Sequence, residues 1–235
     1  MCSGRVDLEF VLRAFANGMD GVFIGGCRLG ECNYGTHGNY HAFNMALLGK
    51  KILEHLGVHP DRLDITFMSS GEGNLYTEQV EKFTRRIREL GPLGLGEGLD
   101  LLELKAELEA VRKLIPYIKV EKRDKLAQRV DKDTADFYTS EEVKDLFAEV
   151  ATYYIDPAKC QACGICARCC PVKAIDGGKG VIHLIDQDKC IKCGSCFAAC
   201  PPRFGAVQRL AGEPAPPPVP EDQRTVQKKG KEARS

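Results

Sequence analysis

Eight of the chain's twelve cysteines fall into two copies of one pattern. Cys160, Cys163, Cys166 and Cys170 follow C-x2-C-x2-C-x3-C-P, and Cys190, Cys193, Cys196 and Cys200 repeat it, the copies ending on Pro171 and Pro201. Three cysteines at two-residue intervals let one tight loop offer three thiolates to a single iron–sulfur cubane. The fourth, on a short helix after the loop, points toward the neighbouring cluster. The expected pairing is therefore crossed: Cys160, Cys163, Cys166 and Cys200 around one [4Fe–4S] cluster, and Cys190, Cys193, Cys196 and Cys170 around the other. Gly164 and Gly194 stand where backbone must pass close to cluster sulfur. Paired C-x2-C units also build zinc ribbons, but a third cysteine at the same interval and a C-P in both copies do not suit one tetrahedral ion. Cys169 is surplus to the pattern. Only Cys170 keeps the three-residue gap and precedes proline, so Cys169 is expected to be a small buried residue.

The rest of the composition narrows the class. Lys plus Arg and Asp plus Glu both total 33 in 235 residues, which gives no bulk basic field for nucleic acid. The longest apolar runs, such as GVFIGG, are too short to cross a bilayer, and MCSGRVDLEF lacks the apolar stretch of a signal peptide. The expected location is the cytoplasm, where many cysteines imply metal or redox chemistry rather than disulfides.

Periodicity divides the chain into four parts. Residues 1–92 alternate helix and strand. An amphipathic helix over DLEFVLRAFANG presents Phe10, Val11, Ala14 and Phe15 on one side, followed by a buried strand at Gly21–Gly26. A cysteine- and glycine-rich loop, a helix from about Tyr40 to Leu56 closed by Gly57, and a strand over RLDITFMSS come next. A helix carrying Tyr76, Val80, Phe83, Ile87 and Leu90 completes this part. This predicts an α/β layer with a parallel sheet, incomplete because only two strands are present. SSGEG after the second strand reads as a turn into the next helix rather than a phosphate loop.

Residues 93–152 read as a helical linker. Leu101, Leu104, Leu108, Val111 and Ile115 form one stripe as far as Pro116, and a second helical piece covers about 119–130. Thr139 and Glu142 have capping-box spacing ahead of a last helix. Residues 153–209 hold the cysteine repeats as an α+β domain, with YIDPAKC and LIDQDKC as repeated short flanking strands. Residues 210–235, rich in proline and without periodicity, read as a disordered tail.

The repeated cysteine pattern with its flanks resembles the bacterial two-cluster ferredoxins. All-thiolate ligation and an apolar shell of Ile165, Ile175, Ile182, Ile191, Phe197 and Val207 favour low potentials. Lys159, Lys189 and Lys192 read as ordinary solvated lysines.

A second resemblance lies in MCSGRVD, DGVFIGGCRLGECNYGTHGNY and LGVHPDRLDITFMSSGEG. These segments are similar to the methyl-viologen-reducing hydrogenase delta subunit over about residues 1–92. The resemblance implies a [2Fe–2S] cluster and a relay between a hydrogenase or dehydrogenase and the flavin-containing subunit of heterodisulfide-reductase-type complexes, where flavin-based electron bifurcation occurs. It carries ligand roles onto Cys2, Cys27 and Cys32, while His37 and His41 are expected to be structural or exposed rather than ligands. The family pattern usually has a further upstream segment with a strand and more cysteines, which some members replace in part with selenocysteine. Three thiolates do not complete a four-thiolate site, so the fourth ligand is expected from such a segment or from a separate chain, or else the cluster has been lost.

No acid–base pair, nucleophilic triad or phosphate loop stands out. The expected function is an iron–sulfur electron-transfer subunit of a multi-subunit oxidoreductase without a substrate-converting site of its own. The alternative is an autonomous ferredoxin-like carrier with a degenerate N-terminal docking domain.

Overall fold

The computed structural model describes residues 2–35, 37–130, 134 and 136–226. It is a mixed α/β chain with small sheets, divided into two compact units, Met1–Phe147 and Ala148–Ser235.

In the first unit, α1 (Leu8–Ala16) starts where the Asp7 side chain accepts a hydrogen bond from the Glu9 amide. It buries Leu8, Val11, Leu12 and Phe15, an i, i+3, i+4, i+7 set, while Phe10 is 60% exposed. The apolar face is thus turned from the expected one. Strand β1 (Val22–Gly26) then pairs in parallel with β2 (Leu63–Phe67), in register from Val22 opposite Leu63 to Gly26 opposite Phe67. A parallel pair needs a crossover, and α2 (Asn39–His55) supplies it, burying Ala42, Met45, Leu48, Ile52 and Leu53. Gly57 ends this segment at φ +75°, and the Val58 amide donates to the Leu53 carbonyl.

Helix α3 (Gly73–Leu90) lies close to the strands at Gly21. A Cβ there would sit 2.6 Å from Ile87 and 2.9 Å from Phe83. Val80, Phe83, Ile87 and Leu90 are half-buried and Tyr76 is exposed, so the expected stripe is present but none of it reaches full burial. Among the described residues the sheet of this unit has two strands.

Residues 91–98, GPLGLGEG, are locked in place. The buried Arg62 guanidinium donates to the carbonyls of Asp20, Leu90, Gly91 and Pro92 and pairs with Glu97. Glu97 also accepts from the amides of His59 and Gly94.

The following helices join the first unit as well. Helix α4 (Leu101–Lys113) packs against α1, burying Leu104, Leu108 and Val111, with Arg112 paired to Glu9. Leu101, expected on the same stripe, is exposed. Helix α5 (Ile115–Glu121) takes Pro116 into its first turn, where proline loses no intrahelical bond. Helix α6 (Arg123–Leu126) is fastened by the buried Asn44, whose Nδ2 donates to the carbonyls of Lys125, Leu126 and Gln128. Helix α7 (Ser140–Ala148) begins with the Glu142 amide donating to Thr139 Oγ1.

The second unit has pseudo-twofold symmetry. Strand β3 (Ala151–Ile155) precedes the first cysteine loop and pairs antiparallel with β6 (Val207–Ala211), which follows the second. Between them, β4 (Ile175–Asp176) follows the first loop and pairs antiparallel with β5 (Leu184–Ile185), which precedes the second. The two flanking strands therefore pair with the strands that close the opposite halves, not with each other. Helices α8 (Ile165–Cys169) and α9 (Ser195–Ala199) pack together.

Of the tail expected to be disordered from residue 210, Leu210 and Ala211 belong to β6, and residues 224–226 are held by specific bonds. Arg224 donates to the Ile182 carbonyl and pairs with Asp176, its own carbonyl accepts from the Ile182 amide, and the Val226 amide donates to Gly180. Residues 227–235 of the expected tail lie outside the described residues.

Candidate iron–sulfur sites

Each cysteine loop of the second unit curls through two residues at positive φ: Ala162 (50°) and Gly164 (72°) in the first, Lys192 (56°) and Gly194 (71°) in the second. Left-handed residues are uncommon outside glycine. The same pair at the same offsets in both copies therefore marks one backbone device used twice. Gly164 and Gly194 each start the short helix that carries the third and fourth cysteines onward.

Cys160, Cys166 and Cys196 are buried, Cys163 is exposed, and Cys170, Cys190, Cys193 and Cys200 are partly covered. Burial, with the neighbouring thiols Cys160 and Cys163 adding to it, pushes the Cys166 thiol up to about 11. Burial and then Cys190 push Cys196 up to about 12, and Cys190 is raised by burial and by Cys193 and Cys170. Such clustered thiols resist ionising until a cation arrives, and a bound metal deprotonates them outright. The donor chemistry therefore fits an iron–sulfur group.

Cys170 lines a small cavity together with Cys190, Cys193 and Cys196. The thiol that leaves the first loop is thus brought to the second triad. Its Sγ accepts from the Ala174 amide at 3.2 Å. Cys200 takes the equivalent place after α9. Cys169 Sγ instead lies 3.2 Å from the Cys166 carbonyl and 3.5 Å from that of Ser195, bridging the two short helices. Of the expected apolar shell, Ile182 and Val207 are buried and Ile165, Ile175 and Ile191 are half-buried, whereas Phe197 is 48% exposed. Lys159 and Lys189 pair with Asp156 and Asp186.

In the first unit, Cys2, Cys27 and Cys32 line one cavity of about 640 Å³ beside the carboxyl ends of β1 and β2. Loops at that end of a parallel sheet are the usual place for a site in this layer type. Cys2 and Cys32 Sγ lie 3.6 Å apart, and Cys2 Sγ accepts from the Gly4 amide. Burial and the adjacent Cys32 raise the Cys27 thiol, while the Tyr34 amide lowers Cys32. The three thiols form a donor set suited to iron, short of the four thiolates of an all-cysteine [2Fe–2S] site. Among the described residues no three His, Cys, Asp or Glu side chains converge on a single-ion position. A cluster spreads its ligands over several irons and does not need such a point. His37 and His41 have rings 6.1 Å apart and are not among the residues lining this cavity.

Several supporting residues carry no motif. Asn39 is fully buried, and its Nδ2 donates to the Cys27 and Arg28 carbonyls, fixing the loop after β1. Arg28 pairs with Glu72, which also accepts from the Ser69 amide, so this loop is tied to the SSGEG turn. A Cβ on Gly38 would collide with the Tyr34 carbonyl and Cys32 Sγ, so that glycine is what allows the loop to close. The glycines were visible in the sequence, but the tertiary partners of Asn39 and Arg28 were not.

Comparison with known proteins agrees with this division. The family "Methyl-viologen-reducing hydrogenase, delta subunit" matches residues 1–91, and a "4Fe-4S dicluster domain" matches residues 134–204. An iron-sulfur subunit of the F420-non-reducing hydrogenase of Archaeoglobus profundus is 45% identical over 91 residues, 39% of this chain and 66% of that protein. The corresponding vhu iron-sulfur protein of the Methanopyrus kandleri F420-non-reducing hydrogenase is 42% identical over 92 residues, 39% of this chain and 69% of its own length. One component of the ferredoxin/F(420)H(2)-dependent CoB-CoM heterodisulfide reductase of Methanosarcina acetivorans is 39% identical over 94 residues, 40% of this chain but 12% of that protein. The chain thus spans just under two thirds of the first of these relatives and about an eighth of the last. No helix among the described residues is long and apolar enough to cross a membrane. Through residues 1–91 the chain belongs to the methyl-viologen-reducing hydrogenase delta-subunit family, and it carries a 4Fe-4S dicluster domain behind that part.

Proposed function

We propose that this chain is an electron-transfer subunit of a cytoplasmic multi-subunit oxidoreductase of the hydrogenase or heterodisulfide-reductase kind. The observation that carries the proposal is the three-thiol cavity of Cys2, Cys27 and Cys32, in a domain similar to hydrogenase iron-sulfur subunits, on the same chain as the dicluster domain.

In this reading Cys160, Cys163, Cys166 and Cys200 hold one [4Fe–4S] cluster, and Cys190, Cys193, Cys196 and Cys170 hold the other. Cys2, Cys27 and Cys32 hold a [2Fe–2S] cluster whose fourth ligand comes from outside the described residues. When bound, each cluster takes up and gives back one electron. The chain's own residues bind the irons, close the loops through Gly164, Gly194 and Gly38, and bury Cys160, Cys166 and Cys196 from water. Asn39 and the Arg28–Glu72 pair hold the N-terminal loop in its thiol-bearing shape. Electrons pass between a hydrogenase or dehydrogenase partner and a flavin-containing partner of the heterodisulfide-reductase type. Such an arrangement would serve flavin-based bifurcation.

Anaerobic purification of the tagged chain from its native host is the test. Flavin-bearing and hydrogenase- or dehydrogenase-type subunits should accompany it in fixed ratio. Recovery of a lone chain that accepts and donates electrons in solution would support the autonomous-carrier alternative instead.

A further inference from the structure

The pseudo-twofold symmetry of the second unit is broken at one buried position. Tyr153 stands seven residues before Cys160, and His183 stands seven residues before Cys190. Each ring crosses to the glycine of the opposite loop. A Cβ on Gly194 would lie 2.8 Å from Tyr153 Oη, and a Cβ on Gly164 would lie 4.0 Å from His183 Nε2. The two rings take equivalent places in the chain, one beside each loop, but one is a phenol and the other an imidazole; at Gly164 the Arg168 guanidinium is nearer still, 3.2 Å from the same Cβ.

His183 is 2% exposed, and its Nδ1 has no hydrogen-bond partner among the described residues. The ring lies against Gly177, where a Cβ would come within 2.5–2.9 Å of its atoms. The Val181 carbonyl, Arg224 and Asp176 also face it. Burying a polar ring with an unsatisfied nitrogen is unfavourable, whereas a phenyl ring would fill the same space without that penalty. Apolar packing alone therefore does not account for an imidazole here, and its Nε2 is the ring atom that comes nearest the glycine of the first loop.

We propose that His183 sets the reduction potential of the cluster bound by the Cys160, Cys163 and Cys166 loop, raising it and making the two [4Fe–4S] clusters inequivalent. This rests on the cluster reading above. Hydrogen bonds and oriented dipoles near cluster sulfur stabilise the reduced, more negative form and so raise the potential. Each cluster gains one electron from a viologen-class reductant and returns it on reoxidation, and the imidazole keeps its proton throughout. An electron entering the domain would then settle first on the cluster beside His183, which gives the relay a direction.

The test is a potentiometric titration of the full chain, loaded anaerobically with iron and sulfide and followed by electron paramagnetic resonance. Parent, His183→Phe and His183→Gln proteins are compared after iron analysis. The expected result is two one-electron waves in the parent. In His183→Phe the higher wave should move to lower potential while the other stays, and His183→Gln, which retains an amide donor, should restore part of the shift. Unchanged waves in a His183→Phe protein with full iron content would overturn the proposal, as would an equal movement of both. A parent protein without cubane signals would overturn the cluster reading itself, and this inference with it. Should His183→Phe fail to hold iron, the comparison of His183→Gln with the parent decides: a wave displaced downward on one cluster alone supports the proposal, and no displacement overturns it.

Discussion

Replacing Arg62 tests the physical core of the delta-type unit without touching any cysteine. The Arg62 side chain is fully buried, and its Glu97 partner is 9% exposed. The guanidinium gathers four carbonyls from two separate segments, Asp20 before β1 and Leu90, Gly91 and Pro92 at the end of α3. In Arg62→Ala these carbonyls lose the guanidinium together, and the largely buried Glu97 carboxylate keeps only the His59 and Gly94 amides. Removing one member of a buried pair destabilises by roughly 3–5 kcal/mol, because the other charge is left uncompensated. That is about two to four powers of ten in the unfolding constant, and a large share of the roughly 5–15 kcal/mol that holds a typical domain.

The pH dependence has a definite sign. Burial alone would raise the Glu97 carboxyl, but the Arg62 bonds and the His59 and Gly94 amides outweigh it and hold the group below its ordinary range. A depressed folded-state value contributes stability that is present above the unfolded value, about 4.3. That stability is lost as pH falls through the folded value. Urea unfolding of the full chain, followed by hydrogen exchange at the β1, β2 and α3 amides, should show the loss in Arg62→Ala at pH 7 and a smaller difference from the parent in acid. A change within about 1 kcal/mol at pH 7, the range of an exposed ion pair, would mean that the Arg62 contacts do not hold this unit together.

Other substitutions bear on the sites themselves. Cys170→Ala should remove a ligand of the second cluster and alter its reduced-state resonance, whereas Cys169→Ala should keep both clusters and lose only a bridge between α8 and α9; equal damage would reverse the assignment. In Gly38→Ala the new methyl meets the Tyr34 carbonyl and Cys32 Sγ, so the loop should open at about 1–3 kcal/mol. Thiol-labelling rates should then rise at Cys2 and Cys32 in metal-free protein, and unaltered rates would contradict the close packing. Arg224→Ala should release the C-terminal segment and speed proteolysis within 212–226, while cleavage unchanged from the parent would mean that its bonds to Ile182 and Asp176 do not hold the segment.

The parts legible in the sequence were those where covalent chemistry or local geometry dictates spacing. Cluster ligation demands fixed intervals, so the cysteine repeats could be read directly, and Gly57 marked the end of α2 because a left-handed residue is needed there. The face of α1 was harder. Apolar residues cover more than half of its circumference, so Phe10 and Leu12 compete for the core, and packing against α4 and α2 decides. The Arg62–Glu97 pair joins residues 35 apart and leaves no local trace. The helices after residue 100 read as a linker because their partners, Glu9 and Asn44, lie far back in the chain. The proline-rich stretch has no period, yet backbone bonds and one arginine hold it as far as Val226.

The proposed relay requires two cubanes with crossed ligands on one chain. Iron and sulfide analysis of the anaerobically purified full chain, joined to electron paramagnetic resonance of the dithionite-reduced protein, is the test. The expected result is about eight irons and eight sulfides from the dicluster domain, with two interacting [4Fe–4S] signals. Two further irons should appear only when the fourth ligand of the Cys2, Cys27 and Cys32 site is supplied. Zinc in place of iron, or about four irons with a single isolated signal, would contradict it.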